Sequence, residues 1–351
     1  MSDETFNKIH SKVKYGAVLS PIDERDYKLT ELQNGKRVAK SAMPAQIEKL
    51  KINSKKLPTH YLSMKIEPNK VFDQGLTDTC CACATAMSRY YIEYKQTSNV
   101  YRFSPAYIYG NRCEDAYIGE GMCVRDALEQ LKDFGCCTLY NYNYFGNYET
   151  CHSKYSKNKK ELDKVASYYK IDSYYSCDNI DDIKHAIYAT TNAIVVIPIY
   201  EHSSPDSLKT HADINGVKTK LKYPEIKWNG KKHPNDEVIG YHAMLAVGWT
   251  AKGLILLNSW GSSWGNNGLA VLPYDYPVDE AWTCIDTKPT KAPVAMRKKI
   301  IVSKNNKKKP AKASYMDNAK NVIQQCSSEN GIGYDLLDYG GELIKKLIKS
   351  L

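Results

Sequence analysis

Apolar side chains recur at helical spacing in the first half of the chain. From Ala82 to Tyr94 they return at every fourth position, which predicts one face of a helix that begins at Cys80. The segment from Val124 to Phe134 also places its apolar residues on one face, which predicts a second amphipathic helix. The first half is therefore expected to be helical.

Capping residues mark further helix ends in the same half. Ser104 is a favourable N-cap and Pro105 suits the first turn, so a short helix is predicted to begin there. Gly135 directly follows the second amphipathic segment, where glycine commonly ends a helix.

The second half changes to short apolar runs after a last predicted helix from Asp178 to Thr190. A polar stretch between Tyr200 and Tyr241 is predicted to be a long loop. Helices followed by strands are typical of an α+β fold, here with two lobes and a cleft between them. The predicted strands are Ala193–Tyr200, Ala243–Trp249, Leu254–Asn258 and Leu269–Pro273.

The chain divides into three parts by composition. Residues 1–70 are weakly periodic, and we expect an arm that lies on the domain; a propeptide that covers the site until its removal is the alternative. The domain is predicted over 71–287, with a helical lobe over about 71–165 and a β lobe over about 166–287. Residues 288–351 are predicted to be a Lys-rich linker and an amphipathic tail.

Composition restricts the compartment and the class of protein. The chain has 351 residues, 42% of them hydrophobic, which is ordinary for a folded protein. It contains no apolar run long enough to span a bilayer, and its polar, acidic N-terminus does not resemble a secretory signal. Eleven cysteines without such a signal predict mostly free thiols in a reducing compartment. We therefore expect a cytoplasmic location, which would be the host cytoplasm or the virion for a viral protein.

The net charge of +10 is concentrated towards the C-terminus. Eight basic residues lie between 297 and 312, but solvated linkers have the same composition, so no specific nucleic-acid binding is expected. From Leu343 to Leu351 the apolar residues recur at helical spacing on one face, with lysines on the opposite face. This predicts a helix that contacts the enzyme or a protein partner, with a membrane-surface helix as the alternative.

The stretch from Asp73 to Ala86 holds the first candidate chemistry. A turn-forming Asp-Gln-Gly precedes Cys80, which lies where a helix-compatible run begins. A thiol at a helix N-terminus is near unpaired backbone N–H groups, which favour the thiolate. Three neighbouring cysteines are equally compatible with buried packing or a metal site, so this stretch alone leaves the choice open.

Two polar residues in the second half supply partners for such a thiolate. His242 precedes an apolar run and is expected at the start of a strand, next to a cleft. Asn258 follows sixteen residues later, at the end of the next strand. Adjacent antiparallel strands would bring these side chains together, as a base and the group that orients it.

These motifs together resemble the papain family of cysteine peptidases. The resemblance is carried by Asp-Gln-Gly before Cys80, His242-Ala243 before an apolar strand, and Asn-Ser-Trp-Gly-x-x-Trp-Gly-x-x-Gly from Asn258 to Gly268. It covers about residues 15–285 and is nearest the atypical branch that reads Asp-Gln-Gly-x-x-x-x-Cys-x-Ala-x-Ala. It implies a papain-like two-lobe α+β fold and hydrolysis of peptide bonds.

The resemblance implies a role for each matching residue. Cys80 resembles the nucleophile, His242 the proton carrier, Asn258 the residue that orients the imidazole, and Gln74 the oxyanion-hole side chain. Trp260 resembles the indole that shields the Asn–His hydrogen bond.

Substrate-binding residues follow from the same resemblance. Gly121 resembles a glycine whose backbone pairs with extended substrate, and Met122, Ala243 and Trp260 are further candidates. Met122 stands where papain itself has a second glycine, which leaves the substrate preference open.

Cys83 is a rival nucleophile, because Cys80-x-x-Cys83 mimics a two-cysteine spacing of the family. The glutamine lies six positions before Cys80, however, whereas Thr77 lies six before Cys83. We therefore predict that Cys80 reacts and that Cys83 lies in the core. The interval from Cys80 to His242 also exceeds the usual roughly 130–150 residues, and the long polar loop can absorb the excess.

No metal or organic cofactor is implied, and the expected partner is a polypeptide substrate. The cysteines at 113, 123, 136, 137 and 151 lack paired CxxC spacing, so packing is preferred to zinc binding. Histidines 152, 202, 211 and 233 are expected at the surface. The alternatives to a cysteine endopeptidase are a ubiquitin-like isopeptidase with the same triad and a catalytically silent structural or binding protein.

Overall fold

A computed structural model describes residues 15–33, 56–98, 101–201, 205, 207–214, 217–228 and 237–286. The Lys-rich linker, the amphipathic tail and residues 1–14 and 34–55 of the predicted arm lie outside these ranges, as do His202 and His233. Within the described part, no helix is both long enough and apolar enough to cross a bilayer.

Helices dominate the described chain before residue 170. The longest two are α2, which carries Cys80, and α5, which packs against α3. The described helices are α1 Leu29–Gln33, α2 Cys80–Thr97, α3 Pro105–Gly110, α4 Val124–Asp133, α5 Tyr148–Ala166 and α6 Ile180–Thr190.

The second half forms one mixed, mainly antiparallel sheet. Its strands are β1 Tyr61–Leu62, β2 Ser173–Ser176, β3 Ala193–Tyr200, β4 Leu208–Ile214, β5 Val217–Ile226, β6 Val238–Trp249, β7 Gly253–Leu257, β8 Leu269–Pro273 and β9 Glu280–Ile285. The strand order is β2-β9-β3-β6-β7-β8-β5-β4, and β1 pairs with β6 outside this path. This combination of helices and a large sheet confirms the predicted α+β class.

Helix α2 is buried between the other helices and the sheet. Every residue from Cys80 to Glu93 is buried, and only the last turn reaches solvent. The sequence pattern predicted one apolar face, but the helix is enclosed on all sides because small Cys, Ala, Thr and Ser side chains let neighbouring backbones approach closely. Helix α2 contacts α3, α4, β3 and β6.

The pattern-based elements largely agree with the structure, and the differences have identifiable causes. Helix α5 was not predicted, since the buried positions of its first half are tyrosines and a cysteine, and the segment is rich in lysine. The polar stretch from Tyr200 to Tyr241 contains the hairpin β4–β5 instead of being entirely loop. That hairpin extends the sheet, because β5 pairs in parallel with β8 at Glu225 and Val271.

The first part of the chain packs onto this domain as an arm. Leu29 and Leu32 of α1 are fully buried in the core beside α6. The Tyr27 carbonyl accepts the Ser176 N–H at 2.9 Å, which ties the arm to β2. Residues 20–33 are therefore built into the fold.

A buried charge cluster joins α2 to the end of β9. The guanidinium of Arg89 is fully buried and pairs with Glu93 at 2.8 Å and with Asp286 at 3.1 Å. Its Nε also donates to the Tyr169 carbonyl at 3.0 Å, and the guanidinium lies 5.2 Å from the Phe103 ring centroid. The cluster contains two carboxylates that depend on one cation.

Replacing this cation should destabilise the protein strongly. We expect Arg89→Met to lower the free energy of unfolding by about 3–5 kcal/mol, because it removes a buried positive charge that pairs with two buried carboxylates. Lys132→Met is the control: its pair with Asp133 is about half exposed, so a change below about 1 kcal/mol is expected. Denaturant unfolding measures both, and equal effects would contradict the account.

Candidate active site

Cys80 is the first residue of α2 and is completely buried. The preceding turn begins where the Asp73 carboxylate accepts the Gly75 N–H at 2.9 Å, with Gly75 at φ +58°. Thr79 precedes the helix, and its carbonyl accepts the Cys83 N–H at 2.8 Å. The predicted position of the thiol at a helix N-terminus is thus present in the structure.

His242 lies within β6, where the buried part of that strand begins. The strand begins five residues earlier than its apolar pattern indicated, because this added segment pairs with β3. Strands β6 and β7 are antiparallel neighbours, with Leu245 opposite Leu257. Asn258 comes one residue later and therefore lies close to His242 on the adjacent strand.

The imidazole and the amide form a short, buried hydrogen bond. His242 Nε2 lies 2.8 Å from Asn258 Oδ1, and both residues are fully buried. The same Oδ1 accepts the Ser259 N–H at 2.8 Å, which fixes the orientation of the amide. Because Oδ1 can only accept, Nε2 carries the proton and Nδ1 is left to face the thiol.

The surroundings of Cys80 favour its thiolate. Burial opposes ionisation, but hydrogen bonds from Cys81 and His242, the charge on His242 and the Ala243 N–H together lower the pKa of the Cys80 thiol well below 9.0. Nδ1 of His242 is buried and has no nitrogen or oxygen partner among the described residues. The sulfur is therefore the group with which this nitrogen interacts.

Two side-chain contacts fix the orientation of the Gln74 amide. Its Nε2 donates to the Thr77 carbonyl at 2.7 Å, and its Oε1 accepts the Ser259 hydroxyl at 2.6 Å. One Nε2 proton remains after the bond to Thr77. Ser259 was not singled out from the sequence, although it lies inside the Asn-Ser-Trp motif; it contacts both Gln74 and Asn258 and orients them.

The other two cysteines of the stretch differ from Cys80. Cys83 lies one turn into α2 with its sulfur 3.8 Å from Thr79 Oγ1, and burial raises the pKa of its thiol strongly. Burial, and then the neighbouring Cys80, raise the pKa of Cys81 well above 9.0. Both are therefore protonated at neutral pH.

The Trp260 ring packs on the imidazole of His242. Its ring centroid lies 4.8 Å from that of His242, and Trp264 packs edge-on against it at 5.9 Å. Ala243 is buried beside the thiol, where its N–H contacts the sulfur of Cys80.

Gly121 and Met122 form one wall of the cleft. Both backbone polar groups of Gly121 are already bonded: its N–H donates to Tyr109 Oη at 2.7 Å, and its carbonyl accepts from Arg112. Gly121 has φ +92°. The pairing of Gly121 with extended substrate stays a prediction.

The chain's own residues 15–18, here called the strap, occupy this cleft. Met122 donates to the Gly16 carbonyl and accepts the Val18 N–H, both at 3.1 Å, and Ala17 donates to the Tyr241 carbonyl at 3.2 Å. Gly16 fits closely, since an added Cβ would lie 2.1 Å from the Asp78 carbonyl oxygen. The strap therefore lies where extended substrate was expected.

In the part of the chain that the structure describes, the remaining candidate ligands do not assemble into a metal site. Among the described residues, no group of three or more His, Cys, Asp or Glu is arranged to hold a metal ion. The ten cysteines described are all free thiols. His152 is part of α5 and contacts the Gly110 carbonyl at 2.8 Å, whereas His211 lies in β4.

Comparison with known proteins identifies relatives of this chain. No family model matches it. An uncharacterised peptidase C1-like protein of Acanthamoeba polyphaga mimivirus is 27% identical over 218 residues, which is 59% of this chain. The match spans 65% of that protein, a little less than two thirds of its length.

Solved structures of two cysteine proteases are similar in fold. Xylellain of Xylella fastidiosa has a TM-score of 0.59 at 21% identity, covering 79% of this chain and 97% of that one. The procathepsin B S9 of Trypanosoma congolense has a TM-score of 0.51 at 15% identity, covering 80% and 88%. The chain has a papain-like α+β fold, and the resemblance to the papain-like cysteine peptidases predicted from its motifs is confirmed.

Proposed function

We propose that this protein is a cysteine endopeptidase whose nucleophile is Cys80. The observation that carries the proposal is the bond from His242 Nε2 to Asn258 Oδ1 at 2.8 Å, which leaves Nδ1 to the thiol at the start of α2. A thiolate, a base and a group that orients the base are the components of nucleophilic acyl transfer. The peptidase C1-like relative supports the same activity.

In the proposed reaction, the Cys80 thiolate attacks the carbonyl carbon of a peptide bond. Gln74 Nε2 and the Cys80 backbone N–H donate to the oxyanion. The C–N bond then breaks, and His242 gives its proton to the leaving amine. Water, deprotonated by His242, hydrolyses the thioester and regenerates the thiol–imidazole pair. Asn258 keeps the imidazole oriented throughout.

We further propose that the strap must leave the cleft before substrate binds. Cys80 and His242 have no exposed surface, and Tyr15 packs edge-on against His242 with ring centroids 6.2 Å apart. Residues 20–33 are anchored in the fold, so the displaced part is the strap and not the whole arm. The proposed displacement therefore agrees with the propeptide alternative only for the residues before Ser20.

A reducing compartment suits this activity. The described cysteines are free, and a catalytic thiolate stays active only while it is not oxidised. The viral relative supports the host cytoplasm or the virion as the place of action.

Substitution of each cysteine tests the assignment of the nucleophile. In a background with Cys113→Ser and Cys326→Ser, which removes the exposed thiol and the thiol outside the described residues, we expect Cys80→Ala to abolish labelling by a thiol-directed epoxide, because burial raises the pKa of Cys81 and Cys83, whereas Cys83→Ala keeps labelling at the same stoichiometry. Intact-mass spectrometry counts the label. Labelling that survives Cys80→Ala and disappears with Cys83→Ala would contradict the assignment, and absent labelling of every variant would favour the catalytically silent alternative.

Weakening the strap should expose the thiol. We expect Gly16→Ala and Ala17→Pro each to raise the labelling rate about tenfold or more, since the first creates a clash with the Asp78 carbonyl and the second removes the N–H that bonds Tyr241. Labelling reactions that are quenched at successive times and measured by mass spectrometry give the rates. The control is Val18→Ala, which trims an exposed side chain and keeps its backbone bonds. Rates that are equal for all four proteins would show that the strap does not limit access.

A further inference from the structure

The cleft wall at Met122 follows a loop with two glycines, and one buried arginine binds that loop. Gly119 has φ +79° and Gly121 has φ +92°, so the backbone before Met122 lacks the restraint that larger side chains supply. Arg112 is only 4% exposed. Its Nη1 donates to the Gly121 carbonyl and its Nη2 to the Gly119 carbonyl. The arginine therefore fixes both glycines of the loop.

Aromatic rings surround the guanidinium of this arginine. The Cζ atom of Arg112 lies 4.0 Å from the ring centroid of Tyr148 in α5. It lies 5.1 Å from the centroid of Tyr109 in α3 and 5.0 Å from that of Tyr117. A planar guanidinium can stack on rings and donate to two carbonyls at once, whereas a lysine ammonium is a compact point charge. The loop contacts therefore depend on an arginine at this position.

Two of these rings also anchor the backbone on either side of Met122. The Tyr109 hydroxyl accepts the Gly121 N–H at 2.7 Å. On the other side, the Tyr117 hydroxyl accepts the Cys123 N–H at 3.1 Å. The guanidinium packs on both rings, so it supports the backbone immediately before and immediately after Met122.

Met122 uses its own backbone groups to bind extended chain. Its N–H donates to the Gly16 carbonyl and its carbonyl accepts the Val18 N–H, both at 3.1 Å, and these are bonds of the strap. Once the strap has left, the same two groups could pair with the backbone of an extended substrate. Such pairing requires that Met122 keeps a fixed position relative to Cys80.

We propose that Arg112 is a positioning residue that holds Met122 where it binds the backbone of the substrate. This inference rests on the proposed peptidase activity and names a further residue on which substrate binding depends. A wall that is fixed in advance costs less ordering free energy than one that the substrate has to order. Loss of the arginine therefore weakens substrate binding and leaves the chemical step at Cys80 unchanged.

Two reagents for Cys80 separate binding from chemistry. One is a dipeptidyl epoxide, whose peptide part needs the wall, and the other is the same epoxide without the peptide. The full chain carries Ala17→Pro so that the strap does not compete, and peptide mapping by mass spectrometry follows the label on Cys80 alone. We expect Arg112→Met to raise the half-saturating concentration of the dipeptidyl epoxide about tenfold. Its maximal rate and the rate of the bare epoxide should stay within about twofold.

A conservative variant and a second arginine serve as controls. Arg112→Lys keeps the charge but cannot donate to both carbonyls in the same geometry, so we expect an intermediate effect of about threefold. Arg102→Met removes an arginine that lies over a different ring, 5.0 Å from the centroid of Phe72. It should leave the half-saturating concentration unchanged.

The substitution should act in the opposite direction when the strap is intact. The strap also pairs with Met122, so a wall that is no longer fixed holds the strap less tightly. We expect Arg112→Met, with Ala17 in place, to raise the rate of the bare epoxide about threefold or more, because the open state is populated more often. A purely structural role for Arg112 would not produce opposite effects on the two reagents.

The outcomes separate this inference from the proposed function. A half-saturating concentration that is unchanged in Arg112→Met and Arg112→Lys would overturn the inference, as would equal losses with both reagents in every variant. If Arg112→Met does not fold, Arg112→Lys and Tyr109→Phe decide by the same measurement, since the latter removes only the hydroxyl that bonds Gly121. If neither reagent labels Cys80 in any of these proteins, the proposed function fails and the inference fails with it.

Discussion

The close packing of the start of α2 against β6 is the constraint on which the rest of this structure depends. Cys80 has to lie within hydrogen-bond reach of His242, although 162 residues separate them in the chain. Small side chains at the first turns of α2 permit that approach, and every residue from Cys80 to Glu93 is buried as a result. Midway along the helix, Arg89 pairs with Asp286 and holds the same contact between helices and sheet.

The two parts of the site are joined by backbone as well as by side chains. The Gln74 N–H donates to the Ser259 carbonyl at 2.8 Å, and the Gly261 N–H donates to the Phe72 carbonyl at 2.8 Å. The Ser259 hydroxyl and N–H then orient Gln74 and Asn258. Gln74, proposed as an oxyanion donor, and Asn258, proposed to orient the base, therefore share one supporting residue, which makes their geometry interdependent.

The sequence predicted most of the site because its motifs have short-range causes. The turn before Cys80 and the end of β7 at Asn258 are local features, and the interval between His242 and Asn258 follows from adjacent antiparallel strands. Ser259 lay within the recognised motif but its contact with Gln74 is tertiary. The strap in the cleft could not be predicted, because its bonds to Met122 and Tyr241 depend on how the arm returns across the domain.

The distinction between local and tertiary causes also explains why helix α5 and the β4–β5 hairpin were not predicted. Helix α5 begins at an Asn147 cap that accepts the Thr150 N–H at 3.1 Å, and its buried tyrosines do follow helical spacing. The lysines in the same segment make it polar overall, so that helical spacing was not recognised. The β4–β5 hairpin is stabilised by the pairing of β5 with β8. Because that pairing is tertiary, the polar sequence of the hairpin alone resembles a loop.

The pH dependence of thiolate absorbance tests the central claim, a Cys80 thiol ionised by His242, most directly. The folded-state pKa of Cys80 lies well below 9.0, so the thiolate is present above that lowered pKa and is lost as the pH falls through it. The account predicts far-ultraviolet thiolate absorbance at about pH 7 that is present in the native protein and in Cys83→Ala, absent in Cys80→Ala, and lost on unfolding at that pH. Absorbance that appears only near the ordinary cysteine pKa of about 8.5, or that survives in Cys80→Ala, would contradict it.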